Sequence, residues 1–274
     1  MISPRSGDAW ITQASRDIAR FDAELLLAHC WRRTRTRVLT SDEPVPEDVV
    51  ACFEQAVRQR AGGVPVAYLL GRREFWSLDF EVSPAVLVPR PETELLVQRG
   101  LDLVVSPHAT IADLGTGSGA IAIALAHERP HWSVTGTDVS TQALAVARRN
   151  GTNLVQDRVE WLHGDWYTAI AGRRFDALLS NPPYIADDDP VLSGDGLRHE
   201  PRGALSPGGD GMASLDTLIN GAPDHLRPGG WLLLEHGTTQ GDGLRARLVA
   251  RGFTSVTSHR DLAGHERVTE GKLA

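Results

Sequence analysis

Cysteine, lysine and long apolar runs are what this chain has least of. Its two cysteines, Cys30 and Cys52, make no framework and show no metal-ligand spacing, so both are expected as reduced packing residues. No uninterrupted apolar run reaches the roughly 18 residues that a membrane span needs, and nothing near the N-terminus resembles a signal peptide. A cytoplasmic, monomeric protein with no membrane partner is therefore expected. Among 28 basic residues Lys272 is the one lysine, a bias we attribute to genome composition. The formal net charge of −7 argues against nucleic acid as the main partner, because phosphate contacts want a basic face.

What is present describes an ordinary globular protein, 41% hydrophobic and 23% charged, whose 274 residues suffice for one large domain and a small one. The spacing of apolar residues over residues 11–63 predicts helices, with Phe21, Leu25, Leu26 and Leu27 in one run and Val49, Val50, Phe53 and Val57 in another. Arg32, Arg33, Arg35 and Arg37 read as a solvated helix end rather than a binding site. Residues 65–71 and 74–82 then alternate in a way that predicts a β-hairpin linking two domains. In Val88-Pro89-Arg90-Pro91-Glu92-Thr93-Glu94, Pro91 suits a helix start with Glu92 and Glu94 in its first turn. Arg90, between two prolines, is a pinned charge that faces a substrate or an ion-pair partner.

From Thr110 onward strands alternate with helices, the pattern of a parallel sheet. Ile111-Ala112-Asp113-Leu114 leads into Gly115-Thr116-Gly117-Ser118-Gly119, where glycines let backbone approach a ligand at a helix N-terminus. The second strand ends at Asp138, placed to accept hydrogen bonds from ribose hydroxyls. The third ends before Asp165 and Trp166, either a turn residue and a core aromatic or the holders of an adenine. Counting two closing strands near Thr254 and Val268, the expected architecture is α/β. It is a seven-stranded, doubly wound, Rossmann-like sheet with a small N-terminal helical domain joined by the hairpin. The expected boundaries are a substrate-recognition domain over 1–72, a linker over 73–90 and a catalytic domain over 91–274.

The fourth strand runs into Asn181-Pro182-Pro183-Tyr184. Two prolines make a stiff corner without backbone donors, so the corner offers acceptors: its carbonyls and the Asn181 amide oxygen. A planar NH2 group fits such a receptor, with Tyr184 as a flat apolar wall. The bland alternative is a proline-stiffened turn. Gly115-x-Gly117-x-x-Ala120, with Asp138 about 20 residues on, also satisfies the dinucleotide pattern, which leaves an NAD-linked oxidoreductase open. His127-Glu128-Arg129-Pro130-His131 matches a zinc-protease motif, but Pro130 should end the helix before His131, and no metal is expected.

Together, Asp113 to Gly119, Asp138, Asp165-Trp166 and the Asn181 corner resemble the motifs of class I S-adenosylmethionine-dependent methyltransferases. Arg73-Glu74-Phe75-Trp76-Ser77-Leu78, the Arg90 run, Glu200-Pro201 and Leu233-Leu234-Glu235-His236-Gly237 are similar to the peptide-chain release factor glutamine methyltransferases, the PrmC/HemK family. The resemblance implies methyl transfer from S-adenosylmethionine to the side-chain N5 of the glutamine in the Gly-Gly-Gln motif of class 1 release factors. It further implies that Gly115, Thr116, Gly117, Ser118 and Gly119 form the cofactor loop, that Asp138 holds the ribose, and that Asp165 and Trp166 hold the adenine. Asn181 and the Pro182 carbonyl would bind the glutamine NH2 beside Pro183 and Tyr184, and Phe75 and Arg90 would wall the pocket. An adenine-N6 methyltransferase acting on nucleic acid is the alternative that uses the same corner.

Overall fold

The computed structural model of the chain describes residues 6–194 and 196–274. Two compact units form: one from the described residues up to Gly71 together with the segment Ser193–His199, the other from Arg72–Leu192 and Glu200–Ala274. Nothing in the sequence around 193–199 announces its grouping with the first unit, where Arg198 Nη2 donates to the Gly62 carbonyl at 2.6 Å.

The first unit holds five α-helices among its described residues: α1 (Gly7–Ala14), α2 (Arg20–Trp31), α3 (Arg35–Thr40), α4 (Glu47–Ala61) and α5 (Val66–Leu70). Thr34 caps α3 by accepting from the Arg37 amide. In α4, Glu47 and Asp48 fill the first turn and Arg58 and Arg60 the last, which favours the helix dipole at both ends. Ile11, Leu26, Leu27, Val38 and Phe53 make the centre of this unit's core.

Two expectations are corrected here. Cys30 and Cys52 are joined in a disulfide, because packing of α2 on α4 brings their Cα atoms to 5.9 Å, a separation that sequence spacing does not disclose. Val66–Leu70, read with the hairpin, is a short helix closed at Gly71; five apolar residues fit either element. The arginine cluster lies at a solvated helix end, where three of its members form ion pairs: Arg33 and Arg37 with Glu43, and Arg35 with Glu24.

The second unit opens with the antiparallel pair β1 (Arg72–Phe75) and β2 (Leu78–Glu81). Trp76 and Ser77 turn it with φ of 53° and 58°, an unusual pair for a two-residue turn that wants left-handed residues. Trp76 is held there twice, its backbone amide donating to Glu94 and its indole to Glu128. After α6 (Glu94–Leu103) come β3 (Thr110–Leu114), α7 (Ala120–Glu128), β4 (Ser133–Asp138), α8 (Thr141–Val155), β5 (Val159–His163) and β6 (Phe175–Ser180). The chain closes with α9 (Arg202–Leu205), α10 (Ala213–His225), β7 (Leu226–Glu235), α11 (Gly241–Ala250), β8 (Phe253–Arg260) and β9 (Glu266–Leu273).

The seven strands β3 to β9 form one sheet in the order β5-β4-β3-β6-β7-β9-β8, parallel except for β9, which runs antiparallel to both neighbours. Alternate residues serve opposite faces: Ile111, Leu179 and Leu233 join one core, while Leu114, Leu178, Leu232 and Leu234 join the other. Strand order reverses between β3 and β6, which opens a crevice at their C-terminal ends. α7 stops at Glu128, so the His127 and His131 pair does not share a helix, and no metal-binding group of His, Cys, Asp or Glu occurs among the described residues.

Candidate active site

The crevice is a cavity of about 470 Å³, and its first wall is the turn after β3. Gly115, Gly117 and Gly119 all have positive φ. At Gly117 a Cβ would meet nothing within 4 Å, so conformation alone asks for glycine; at Gly119 it would lie 2.8 Å from the Trp161 ring, so space asks as well. Thr116 donates its hydroxyl proton to Asp113 Oδ2 at 2.5 Å, and the Ala122 amide donates to the same oxygen at 3.2 Å, tying the loop to α7. Asp113 is fully buried, its Oδ1 has no partner, and burial pushes its carboxyl up to about 7.

Asp138, at the end of β4, accepts from the Gly117 amide at 2.9 Å and the Ser140 amide at 2.8 Å, one on each oxygen. Burial raises its pKa and these amide bonds oppose the rise. Each oxygen keeps lone-pair capacity toward the cavity. Asp165 and Trp166 follow β5, and the Trp166 ring covers Gly115 closely enough that a Cβ there would approach it to 3.3 Å.

Across the cavity, residues 85–90 are pinned by Glu200. Its side chain is 2% exposed and binds twice: Oε1 accepts from Arg90 Nη2 at 2.5 Å, and Oε2 from the Val88 amide at 2.9 Å. Arg90 thus answers its two sequence readings with an ion pair while also lining the cavity.

The corner after β6 closes the site. Ser180 Oγ donates to the Leu114 carbonyl at 2.6 Å, fastening this strand end to the one that carries the glycine loop. Asn181 Nδ2 donates to Thr93 Oγ1 at 3.1 Å, and Thr93 Oγ1 donates to Glu235 Oε2 at 2.7 Å. Tyr184 donates its phenol to Glu235 Oε1 at 3.2 Å. Glu235 is fully buried at the end of β7; burial pushes its carboxyl up to about 7 against the bonds from Thr93 and Tyr184.

Gly115, Thr116, Gly117, Ser118, Asp138, Asp165, Trp166, Arg90, Asn181 and Pro183 are thus brought together around one cavity. Gly119, Pro182, Tyr184 and Phe75 are not among its lining residues. Phase of the strand explains Phe75: it is the inward residue of β1, 2% exposed, and packs edge-to-face on Phe80 with centroids 6.0 Å apart, so it is core and not wall. Tyr184 is outside the lining, and its buried phenol finds its partner in Glu235. Reading the sequence missed Thr93, Glu200 and Glu235 as parts of the site. For Glu235 a signal exists, an acid closing the apolar run Trp231 to Leu234, where burial demands a partner. Val139, Ser140, Ser214 and Thr217 also line the cavity and carry no sequence signal of it.

Residues 91–212 match the methyltransferase small domain and residues 6–71 the PrmC N-terminal domain. Release factor glutamine methyltransferase from Xylella fastidiosa strain 9a5c is 48% identical over 268 residues, 96% of this chain and 97% of that protein. The chain belongs to the release factor glutamine methyltransferase family. Another relative in that family, from Pseudomonas aeruginosa, is 48% identical over 257 residues, 93% of each chain. Among solved structures, a methyltransferase from Pyrococcus furiosus is similar with a TM-score of 0.55 at 20% identity, covering 80% of this chain and 96% of that one. The hMettl16 catalytic domain has a TM-score of 0.61 at 16% identity, covering 80% and 82%. These two likenesses bear on the fold, which the family shares with other methyltransferases. No helix among the described residues is long and apolar enough to cross a membrane.

Proposed function

We propose that the chain transfers the methyl group of S-adenosylmethionine to the side-chain N5 of the glutamine in the Gly-Gly-Gln motif of class 1 release factors. One observation carries the reading: Asn181 spends its NH2 on Thr93, which leaves its amide oxygen as an acceptor at the cavity. The cavity residues fit the cofactor. Backbone at Gly115 to Gly119 allows close approach, Asp138 offers carboxylate lone pairs suited to a vicinal diol, and Asp165 and Trp166 offer a carboxylate and a ring suited to an adenine. When bound, the sulfonium supplies an electrophilic methyl carbon with an uncharged thioether as leaving group.

The protein's part is orientation. An amide nitrogen is a poor nucleophile because its lone pair is delocalised into the carbonyl. Asn181 Oδ1 accepts one of its N–H groups, and the prolines bring no competing donor. A neutral hydrogen bond nets only about 0.5–1.5 kcal/mol, whereas well-oriented reactants remove roughly 7–11 kcal/mol of barrier, so positioning outweighs the bond itself. As the N–C bond forms, the nitrogen becomes acidic and loses one proton to water, so no strong base is needed beforehand. The helices of the first unit serve to dock the release factor.

Asn181→Ala is expected to keep S-adenosylmethionine binding in calorimetry and to lose most methyl transfer to purified release factor. Normal turnover in that variant rejects the role, and transfer to DNA or RNA in place of release factor moves the assignment to the adenine-N6 class.

A further inference from the structure

A carboxamide has two ends of nearly equal shape and opposite polarity. With the wrong end at the cavity, Asn181 would set an NH2 against the substrate's NH2, donor against donor. We infer that Thr93 and Glu235 are positioning residues that decide which end of the Asn181 carboxamide faces the cavity. The inference rests on the proposed role of Asn181 as the acceptor for the glutamine amide.

Thr93 has one hydroxyl proton. In the structure that proton goes to Glu235 Oε2, so only a lone pair remains for Asn181, which must then present Nδ2 to Thr93 and Oδ1 to the cavity. The second oxygen of Glu235 takes the phenolic proton of Tyr184. With both of its oxygens receiving donors, the ionised carboxylate forces the direction of the whole relay.

Thr93 ends a 3-10 turn, Pro91–Thr93, that runs directly into α6 with helical backbone; it is 4% exposed, and its hydroxyl bonds nothing in that helix. The hydroxyl is spent across the chain instead, on a residue 142 positions away and on Asn181 88 positions away.

The direction reverses if Glu235 carries a proton on Oε2. The carboxyl then donates to Thr93, and the Thr93 proton turns to Asn181. Asn181 answers with Oδ1 and swings its NH2 to the cavity. Burial favours the protonated form; Thr93, Tyr184 and Arg267 of β9 favour the ionised form, and Glu92 opposes it. His236, next in sequence, directs its ring to Gly237 and Thr269, away from this choice. With the carboxyl at about 7, the relay is set for acceptance above that pH and loses its setting below it.

The test compares Thr93→Val, Thr93→Ser, Glu235→Gln and Asn181→Ala by steady-state methyl transfer, with S-adenosylmethionine calorimetry as the binding control. Thr93→Val is expected to lower kcat roughly 10- to 100-fold, with cofactor affinity changed by less than about threefold, and Thr93→Ser to restore most of the loss. In wild type kcat falls as pH drops through about 7, and Glu235→Gln, which cannot ionise, lowers kcat and removes that acidic limb. Wild-type kcat in Thr93→Val overturns the inference, and so does equal impairment of the Val and Ser variants, which marks packing and not polarity. If Asn181→Ala is inactive while Thr93→Val is normal, the relay alone fails; if Asn181→Ala turns over normally, the reading beneath it fails. Should Glu235→Gln not fold, the Thr93 pair decides.

Discussion

Glu200 allows the cavity wall to be loosened in two separable steps. Its carboxylate holds Arg90 with one oxygen and the Val88 amide with the other, from a position almost wholly out of water. Glu200→Gln keeps the shape and an oxygen for Val88, but it turns an NH2 toward the guanidinium. A bond between charged groups is worth about 1.5–3 kcal/mol. The Arg90 side chain is 34% exposed and regains water, so the lower end of that range is expected. Glu200→Ala additionally strands the Val88 amide, on a residue 4% exposed, at a further cost of about 1–3 kcal/mol. Urea unfolding should therefore rank wild type above Gln and Gln above Ala, with gaps of about 1.5 and 2 kcal/mol. Because residues 85–87, 89 and 90 line the cavity, S-adenosylmethionine affinity should fall in the same order. Equal stability of the two variants would refute the two-bond account, and wild-type affinity in Glu200→Ala would detach this wall from the cofactor.

Two glycines of the loop separate conformation from space. Gly117→Ala should cost about 1–2 kcal/mol for its left-handed backbone alone, whereas Gly119→Ala adds a clash with Trp161 and should cost about 3 kcal/mol or more in unfolding experiments. Asp113 predicts a pH slope of stability. Its folded-state carboxyl, at about 7 against 3.8, takes up a proton on folding, so this contribution is full at low pH and is lost as pH rises to about 7. Glu235, which burial also pushes up to about 7, adds a slope of the same sign in this window, whereas acids whose values are lowered, such as Glu81 and Asp176, titrate below it. The pH slope of unfolding measured from about pH 5 to 8 should shrink but persist in Asp113→Asn, and an unchanged slope would count against the burial account.

The parts of the fold that were legible are those written in local pattern. Apolar runs ending in Leu114, Asp138 and Ser180 became β3, β4 and β6, and the glycines after the first run became the loop that faces the cavity. What escaped was written in pairs far apart: Thr93 with Glu235, and Arg90 with Glu200 at 110 positions. Each partner alone reads as a surface acid or a helix-start residue; only the fold shows that they meet. Phe75 and Tyr184 were placed by motif, but side-chain direction depends on strand phase and on the nearest acceptor, neither of which a motif states. The Cys30–Cys52 link likewise depends on how α2 rests against α4.

The Ser180 hydroxyl fastens β6 to the last residue of β3, in strands already paired in register. Glycine turn and proline elbow are consequently mounted on one anvil, with no hinge between them to open or to drift. The opposing wall is clasped separately, through the two bonds of Glu200, so the two sides of the cavity owe their shape to independent fastenings.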